Sequence, residues 1–170
     1  MINIINYFFI FVAEYLYLLA GLIALLWFWK LPKNQKREAA IFSLVVLPAI
    51  YLVSRVAAVL YFNPRPFVVG HFTPLISHSP DNGFPSDHVL LVSALAAIIY
   101  PFSKKISAVI WFLAFLVGLS RVYVGVHHPL DIIGSILISI IISMLIYFIF
   151  QRYLDKHIIV DRFNLNRKVD

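Results

Sequence analysis

Residues 127–150 read HHPLDIIGSILISIIISMLIYFIF, so two histidines and an aspartate stand directly before a long apolar run. Crossing the roughly 30 Å hydrocarbon core of a bilayer takes about 20 predominantly apolar residues. The stretch from Pro129 to Phe150 therefore predicts a membrane-spanning helix that has polar chemistry at its start. Similar apolar stretches raise the predicted number of spans to five, at 7–29, 39–62, 86–102, 106–124 and 129–150.

The composition favours the same fold class. Hydrophobic residues make up 62% of the 170-residue chain and charged residues 13%, with a mean hydropathy of +0.90. A soluble domain has no interior large enough for that apolar share. We therefore predict an all-α, polytopic transmembrane helical bundle that forms a single domain over 1–170. The chain has no cysteine, which excludes disulfides and thiolate chemistry.

The N-terminal apolar run predicts a retained span rather than a signal peptide. No basic segment precedes it, and no small-residue cleavage site follows it. The run is long enough to hold a short interfacial helix before the span, which would make six helical elements. Glu14 interrupts it, at a depth that the sequence leaves open, and we leave this residue out of the predicted site.

The distribution of basic residues predicts the orientation. Eleven of the fourteen lysines and arginines fall in segments 30–37 and 104–105 and in a tail over 151–170. The positive-inside rule makes these segments cytoplasmic, so the loops at 63–85 and 121–128 face outward. The formal net charge is +6, but the lysines and arginines form no basic stripe with interleaved aromatic residues. We therefore predict no nucleic-acid partner.

Polar residues gather at the predicted outer ends of the spans, where each one is costly unless it has a function. The third span opens with Pro-Ser-Asp-His at 85–88, and the pattern S-R-x-x-x-x-x-H-x-x-x-D begins at 120. The residues concerned are Arg65, Ser86, His88, Ser120, Arg121, His127 and Asp131. Their convergence at helix N-termini predicts an anion site, because free backbone N–H groups and the positive helix dipole lie there.

The residue types suit phosphoryl transfer. Pro129 fits the first helical position, which makes His128 the cap and lets Asp131 in the first turn orient His127 as a nucleophile. The arginines are suited to clamping phosphate oxygens, and His88 to giving a proton to the leaving group. Plainer interpretations remain for each residue alone: an ordinary N-cap for Ser86, a complement to the helix dipole for Asp131, and pairing with a structural carboxylate for an arginine. Because few acids lie nearby, the phosphate clamp is favoured for the arginines.

These motifs resemble those of the type-2 phosphatidic-acid phosphatase superfamily over Arg55–Gly134. Arg65-Pro66 matches the end of its first motif, Pro85-Ser86-x-His88 its second, and Ser120-Arg121 with His127 and Asp131 its third. The resemblance implies a bundle of transmembrane helices that needs no metal or cofactor. It also implies a phosphohistidine intermediate on His127, His88 as general acid, and phosphate binding by the arginines and serines of these motifs.

Two departures narrow the resemblance. Ala58 replaces the usual first-motif lysine, and Arg55, one helical turn away, is the candidate substitute. Asp87 stands where the general family has glycine, and this PSDH form is similar to that of bacterial undecaprenyl-diphosphate phosphatases. The likeness implies hydrolysis of the diphosphate of a C55 lipid carrier at the outer face of the bacterial plasma membrane. His78 matches the same subgroup and is a candidate contact for the second phosphate.

Other functions remain open at this stage. The same residues would serve a phosphatase acting on phosphatidylglycerophosphate, phosphatidic acid or lipid A 1-phosphate, again with a membrane lipid as the partner. Buried charge in a small helical protein is also typical of a channel or transporter, although the motif spacing disfavours that class. A lipid-binding relative without catalysis is disfavoured by the intact histidines and Asp131. The sequence gives no prediction of oligomeric state.

Overall fold

The computed structural model describes residues 3–166, with side chains described as far as Arg152. The chain is all-α, as the sequence predicted. The six helices are α1 (Ile4–Lys30), α2 (Lys33–Leu60), α3 (Pro66–Val69), α4 (Asp87–Ile99), α5 (Lys104–Tyr123) and α6 (Pro129–Asn166).

Four of these helices are long and apolar enough to cross a membrane: α1, α2, α5 and the first part of α6 over Pro129–Arg152. Their side chains face outward to an unusual degree, with large apolar residues exposed along every one of them. Such surfaces are stable only in lipid. The chain is therefore an integral membrane protein.

The predicted third span, 86–102, is present as a shorter helix. It forms α4, which has only 13 residues and reaches about 20 Å at 1.5 Å per residue, less than the hydrocarbon core. An apolar stretch of sequence indicates that its residues avoid water, but it does not show how many of them are helical. The helix ends at Ile99, shortly before Pro101, which cannot continue the hydrogen-bond ladder.

The predicted sixth element also lies in a different place. α1 runs unbroken from an Asn3 cap, whose side chain accepts a hydrogen bond from the backbone of Asn6 at 3.0 Å, so no separate interfacial helix precedes it. The extra element is α3, which begins at Pro66 in the long loop after α2. Within the predicted tail over 151–170, α6 continues to Asn166; the tail's side chains beyond Arg152 and all of 167–170 lie outside the described residues.

The short helix α4 is the centre of the bundle. Eight of its 13 residues are buried, against α1 and α5 on one side and α2 and α6 on the other. Serines tie it to its neighbours: the hydroxyls of Ser135 and Ser139 on α6 donate to carbonyls of Ser86 and Leu90, at 3.0 and 3.3 Å. Such hydrogen bonds between helices fix their register in lipid. They hold the start of α4 beside the start of α6.

Candidate active site

The turn between α5 and α6 places His127. Gly125 has φ +84°, a left-handed conformation that favours glycine, and a Cβ there would lie 2.7 Å from the Phe72 ring. The backbone N–H groups of Val126 and His127 both donate to the Arg121 carbonyl at 3.3 Å. This turn carries the chain off the end of α5 and holds the His127 side chain inside the protein, where it is 3% exposed.

The two ring nitrogens of His127 have different surroundings. Nδ1 lies 2.9 Å from the Gly83 carbonyl and 3.3 Å from Asp131 Oδ2, and both of these partners are acceptors. Nε2 lies 3.4 Å from Arg65 Nη1 and 3.4 Å from Arg121 Nη2, and both of these are donors. The geometry fits one tautomer, with the hydrogen on Nδ1 and the lone pair of Nε2 directed between the two guanidinium groups.

Burial lowers the pKa of the His127 imidazole below its usual value, although the hydrogen bond with Asp131 acts in the opposite direction. The positive charges of Arg121 and Arg65 lower it further. The ring is therefore neutral at neutral pH. A neutral imidazole with a free lone pair is a nucleophile.

Asp131 is fully buried, and both of its carboxylate oxygens accept hydrogen bonds. Its Oδ1 accepts from the side-chain amide of Asn63 at 2.7 Å, and its Oδ2 accepts from the backbone N–H of His128 at 2.8 Å in addition to facing His127. The predicted reach of Asp131 back to His127 is present in the structure. Asn63 and Gly83 were missed, because the amide and the carbonyl come from segments distant in sequence.

Two acceptors other than His127 hold Arg65 in place. Its Nε donates to Asp81 Oδ1 at 2.7 Å and its Nη1 to the Val126 carbonyl at 2.9 Å, and the residue is 5% exposed. Burial alone would raise the pKa of the Asp81 carboxyl, but the Arg65 guanidinium lowers it overall. Asp81 was not predicted as part of the site. Its only sequence signal is its place in the turn-forming run Asp81-Asn82-Gly83.

Asn82 fastens this loop to the end of α2. Its side-chain oxygen accepts from the backbone N–H groups of Asn63 and Phe84, each at 2.9 Å. Its side-chain nitrogen donates to the carbonyls of Ala58 and Tyr61 at 2.8 and 3.0 Å. The Asn82 amide thus satisfies backbone hydrogen-bonding groups of both segments that lack backbone partners, and it fixes the position of Gly83.

Ser86 and His88 lie at the start of α4. Ser86 occupies the cap position, as predicted, but its hydroxyl makes no capping hydrogen bond, and its Oγ is buried without a partner. The Ser86 backbone is tied to α6, because its N–H donates to the Asp131 carbonyl at 3.4 Å. The His88 ring contacts Tyr17 of α1 edge-on, with 4.8 Å between ring centroids. Burial, together with the positive charge of Arg121, lowers the pKa of the His88 imidazole to about 4.

Three further predicted site residues have distinct positions. Ser120 is buried and donates its hydroxyl back to the Leu116 carbonyl at 2.8 Å. Arg55 forms an ion pair with Asp87. The His78 ring lies 6.2 Å from the His127 ring, and its Nδ1 is buried without a partner. Burial lowers the pKa of His78, and the positive charges of Arg65 and Arg121 lower it further. The phosphate-binding roles of all three stay predictions.

A cavity of about 370 Å³ opens beside His127 and His128, between the α5–α6 turn and the loop that follows α3. Its walls are mostly apolar and include Phe72, Pro74 and Val122. The site therefore combines a cationic centre with apolar surroundings.

The chain is similar to known proteins. A family model described as the PAP2 superfamily matches residues 38–155. Undecaprenyl-diphosphatase BcrC of Bacillus subtilis (strain 168) is 33% identical over 138 residues, covering 81% of this chain and 71% of that protein. The putative undecaprenyl-diphosphatase YbjG of Escherichia coli (strain K12) is 33% identical over 134 residues, covering 78% and 67%.

Solved structures show the same fold. The crystal structure of LpxE from Aquifex aeolicus superposes with a TM-score of 0.66 at 24% identity, covering 85% of this chain and 86% of that one. A transmembrane PAP2-type phosphatidylglycerolphosphate phosphatase from Bacillus subtilis superposes with a TM-score of 0.62 at 22% identity, covering 87% and 77%.

Proposed function

The chain belongs to the PAP2 superfamily, and from that premise we propose that it hydrolyses a lipid diphosphate through a phosphohistidine intermediate on His127. One observation carries the proposal: Nε2 of His127 lies between two arginine guanidinium groups while its Nδ1 faces Asp131 and the Gly83 carbonyl. A phosphate placed between the arginines has its phosphorus next to the lone pair.

The reaction proceeds in two steps. The terminal phosphate binds to the guanidinium N–H groups of Arg65 and Arg121, which frees the lone pair of His127 Nε2. That nitrogen attacks phosphorus, and a P–N bond forms as the P–O bond breaks. The negative charge of the bound phosphate raises the low pKa of His88, and the protonated His88 gives its proton to the departing oxygen. Water, deprotonated by His88, then attacks phosphorus and breaks the P–N bond, which releases inorganic phosphate and restores His127.

The arginines supply the electrostatic part of this catalysis. Negative charge spreads over the three equatorial oxygens in the transition state, and donors fixed beforehand stabilise it without reorganising. Arg65 is fixed by Asp81 and by the Val126 carbonyl. Its placement is therefore set before substrate binds.

Undecaprenyl diphosphate is the proposed substrate, converted to undecaprenyl phosphate. Relatives at 33% identity carry that activity in their names, and this chain has the PSDH form at 85–88. His78 is the proposed contact for the second phosphate, since its ring centroid lies 6.2 Å from that of His127 and its Nδ1 is buried without a partner.

The deciding experiment compares lipids side by side. Purified protein is assayed for phosphate release from undecaprenyl diphosphate, undecaprenyl phosphate, phosphatidylglycerophosphate and phosphatidic acid, with His127→Ala as the control. We expect the diphosphate to give the highest kcat/KM and His127→Ala to form no acid-labile phosphoenzyme. A preference for a monophosphate lipid would overturn the substrate assignment, and a phosphoenzyme in the variant would overturn the nucleophile.

We also propose that the site faces outward from a bacterial plasma membrane. The basic segments 30–37 and 104–105 are at the end of the helices opposite to His127, and positive residues favour the cytoplasmic side. Because the chain has no cysteine, single cysteines report sidedness cleanly. In intact cells, an impermeant maleimide should label Thr73→Cys and spare Gln35→Cys; the reverse pattern would invert the orientation.

A further inference from the structure

A second cavity lies at the end of α4 that is far from the active site. Its volume is about 530 Å³, and Ala97, Tyr100 and Pro101 form one wall of it. α4 packs between α5 and α6, which scarcely contact each other, and it ends at Ile99. The chain then turns back into α5, so the space that a longer α4 would fill stays open between α5 and α6. This crevice is thus a consequence of the short length of α4.

Most of the crevice is lined by apolar and aromatic side chains. α6 contributes Ile140, Met144 and Phe148, which are spaced by four residues and therefore share one face of the helix. All three are exposed. Because the exposed apolar face of a membrane-spanning helix contacts lipid, the crevice opens sideways to the acyl chains of the bilayer.

A basic residue lies at the mouth of the crevice. Lys104 is part of the lining, is exposed, and makes no ion pair within the part of the chain that the structure describes. It is also the first residue of α5, whose first turn contains no acidic residue. The free backbone N–H groups and the helix dipole add to its positive charge there. The mouth therefore favours an anionic group.

Ser143 brings an unused hydrogen-bond donor to the lining. It is the third of three serines spaced by four residues on α6, and the first two, Ser135 and Ser139, donate to α4 carbonyls at 3.0 and 3.3 Å. Ser143 is only 4% exposed, yet its Oγ has no partner among the described residues. Leaving a buried hydroxyl unpaired is costly, so a bound acceptor at this position would be favoured.

We propose that the crevice binds one anionic phospholipid, at the end of the bundle opposite to His127. An acyl chain lies along the exposed face of α6, the phosphate binds to Lys104 at the start of α5, and an ester carbonyl accepts from Ser143. Charge complementarity selects an anionic lipid, because a zwitterionic head group brings its own cation close to Lys104. The bound lipid packs against the last turn of α4 and so supports the helix whose first turn lies in the active site. The proposal does not depend on the proposed reaction.

The test uses Trp111, which lines the crevice, as a fluorescent reporter. Replacing Trp27→Phe and Trp29→Phe leaves it as the only tryptophan of the chain. The protein is reconstituted in phosphatidylcholine vesicles with increasing fractions of phosphatidylglycerol, and either lipid carries brominated acyl chains, which quench tryptophan on contact. We expect phosphatidylglycerol to bind beside Trp111 about fivefold more tightly than phosphatidylcholine, the size expected for one lysine at a lipid surface.

Matched variants separate the contributions. Lys104→Gln should remove most of the preference, whereas Lys105→Gln, which removes the same charge from a residue outside the lining, should largely keep it. Phosphatidylglycerol with ether-linked chains lacks the ester carbonyl, so it should compete less well than the ester form for the protein with Ser143 and equally well for Ser143→Ala. Native mass spectrometry of the wild type and of Lys104→Gln gives the same lipid comparison without the tryptophan changes.

Three results would overturn the proposal. One is equal binding of the two lipids beside Trp111, and another is an equal loss of the preference in Lys104→Gln and Lys105→Gln. The third is weak quenching by every brominated lipid, which would indicate that a second copy of the chain covers the crevice. Equal competition by the ester and ether forms for the protein with Ser143 would refute the role of its hydroxyl.

Discussion

Two helices begin at the site, and each carries an aspartate in its first turn: Asp87 on α4 and Asp131 on α6. The Asp131 side chain is 0% exposed and holds Asn63, His127 and the His128 backbone, whereas the Asp87 side chain is 69% exposed and holds only Arg55. The sequence signal is the same in both, an acid near a helix start. The difference is burial. The buried Asp131 carboxylate fixes the tautomer of His127, whereas the exposed Asp87 carboxylate forms an ion pair that solvent screens.

The largest effect should come from the buried aspartate. Asp131→Asn replaces an acceptor of three hydrogen bonds with a group that also donates, which disturbs the tautomer of His127. We expect kcat to fall by about 10²- to 10⁴-fold, measured by phosphate release from the lipid substrate. Asp87→Asn is the matched control in the exposed pair; an equal loss there would remove the distinction between the two carboxylates.

The pH dependence should report the buried pair as well. Burial lowers the pKa of His127, so the ring stays neutral below the usual imidazole value of about 6.5. The acidic limb of kcat/KM should therefore have its midpoint below pH 6.5. The Asp131 carboxylate raises the pKa of His127 and so partly offsets the effect of burial. In Asp131→Asn this contribution is lost, so the acidic limb of the remaining activity should move to still lower pH.

The position of that limb should not change in Asp87→Asn. A wild-type midpoint above pH 6.5, or a shift of the limb toward higher pH in Asp131→Asn, would contradict the proposed neutral His127.

A smaller effect should follow from loss of the amide that holds Asp131. Asn63→Ala leaves Asp131 Oδ1 buried without its 2.7 Å donor, which should lower the free energy of unfolding by about 1–3 kcal/mol. Thermal unfolding in detergent measures the stability change, and activity should fall less than in Asp131→Asn. Asn34→Ala, at the exposed start of α2, is the matched amide deletion and should change neither quantity.

The smallest effects should come from the exposed pair. Arg55→Gln and Asp87→Asn should each change activity by less than about fivefold, and raising the salt concentration should shrink both effects. The double variant should lose less than the two single losses combined, because each single change already breaks the ion pair. Additive losses that salt leaves unchanged would indicate that Arg55 contacts substrate independently of Asp87.

Local sequence patterns predicted the starts of α4 and α6. Pro129 begins α6, and the spacing of four residues between His127 and Asp131 allows the contact seen in the structure. Periodicity and capping act over a few residues, so these features can be read from short stretches. The convergence of motifs on one end of the bundle followed from the alternation of apolar runs and loops.

The remaining features depend on contacts between distant segments. Asn63 reaches Asp131 across 68 positions, and Gly83 reaches His127 across 44. No local rule predicts such pairings. The short length of α4 was not predicted for a related reason: a buried central helix and a membrane span are equally apolar in sequence.

The role of the Gly83 carbonyl affects how mutagenesis of this site is interpreted. It accepts from Nδ1 of His127, yet it belongs to the main chain, so no side-chain replacement deletes it. Substituting Gly83 would add a Cβ 3.0 Å from Asp131 Oδ2, and the damage would be read as crowding. Alanine scanning would therefore credit Asp131 alone with orienting the histidine, and only an amide-to-ester replacement at the Gly83–Phe84 bond, which weakens the carbonyl as an acceptor, would reveal its share.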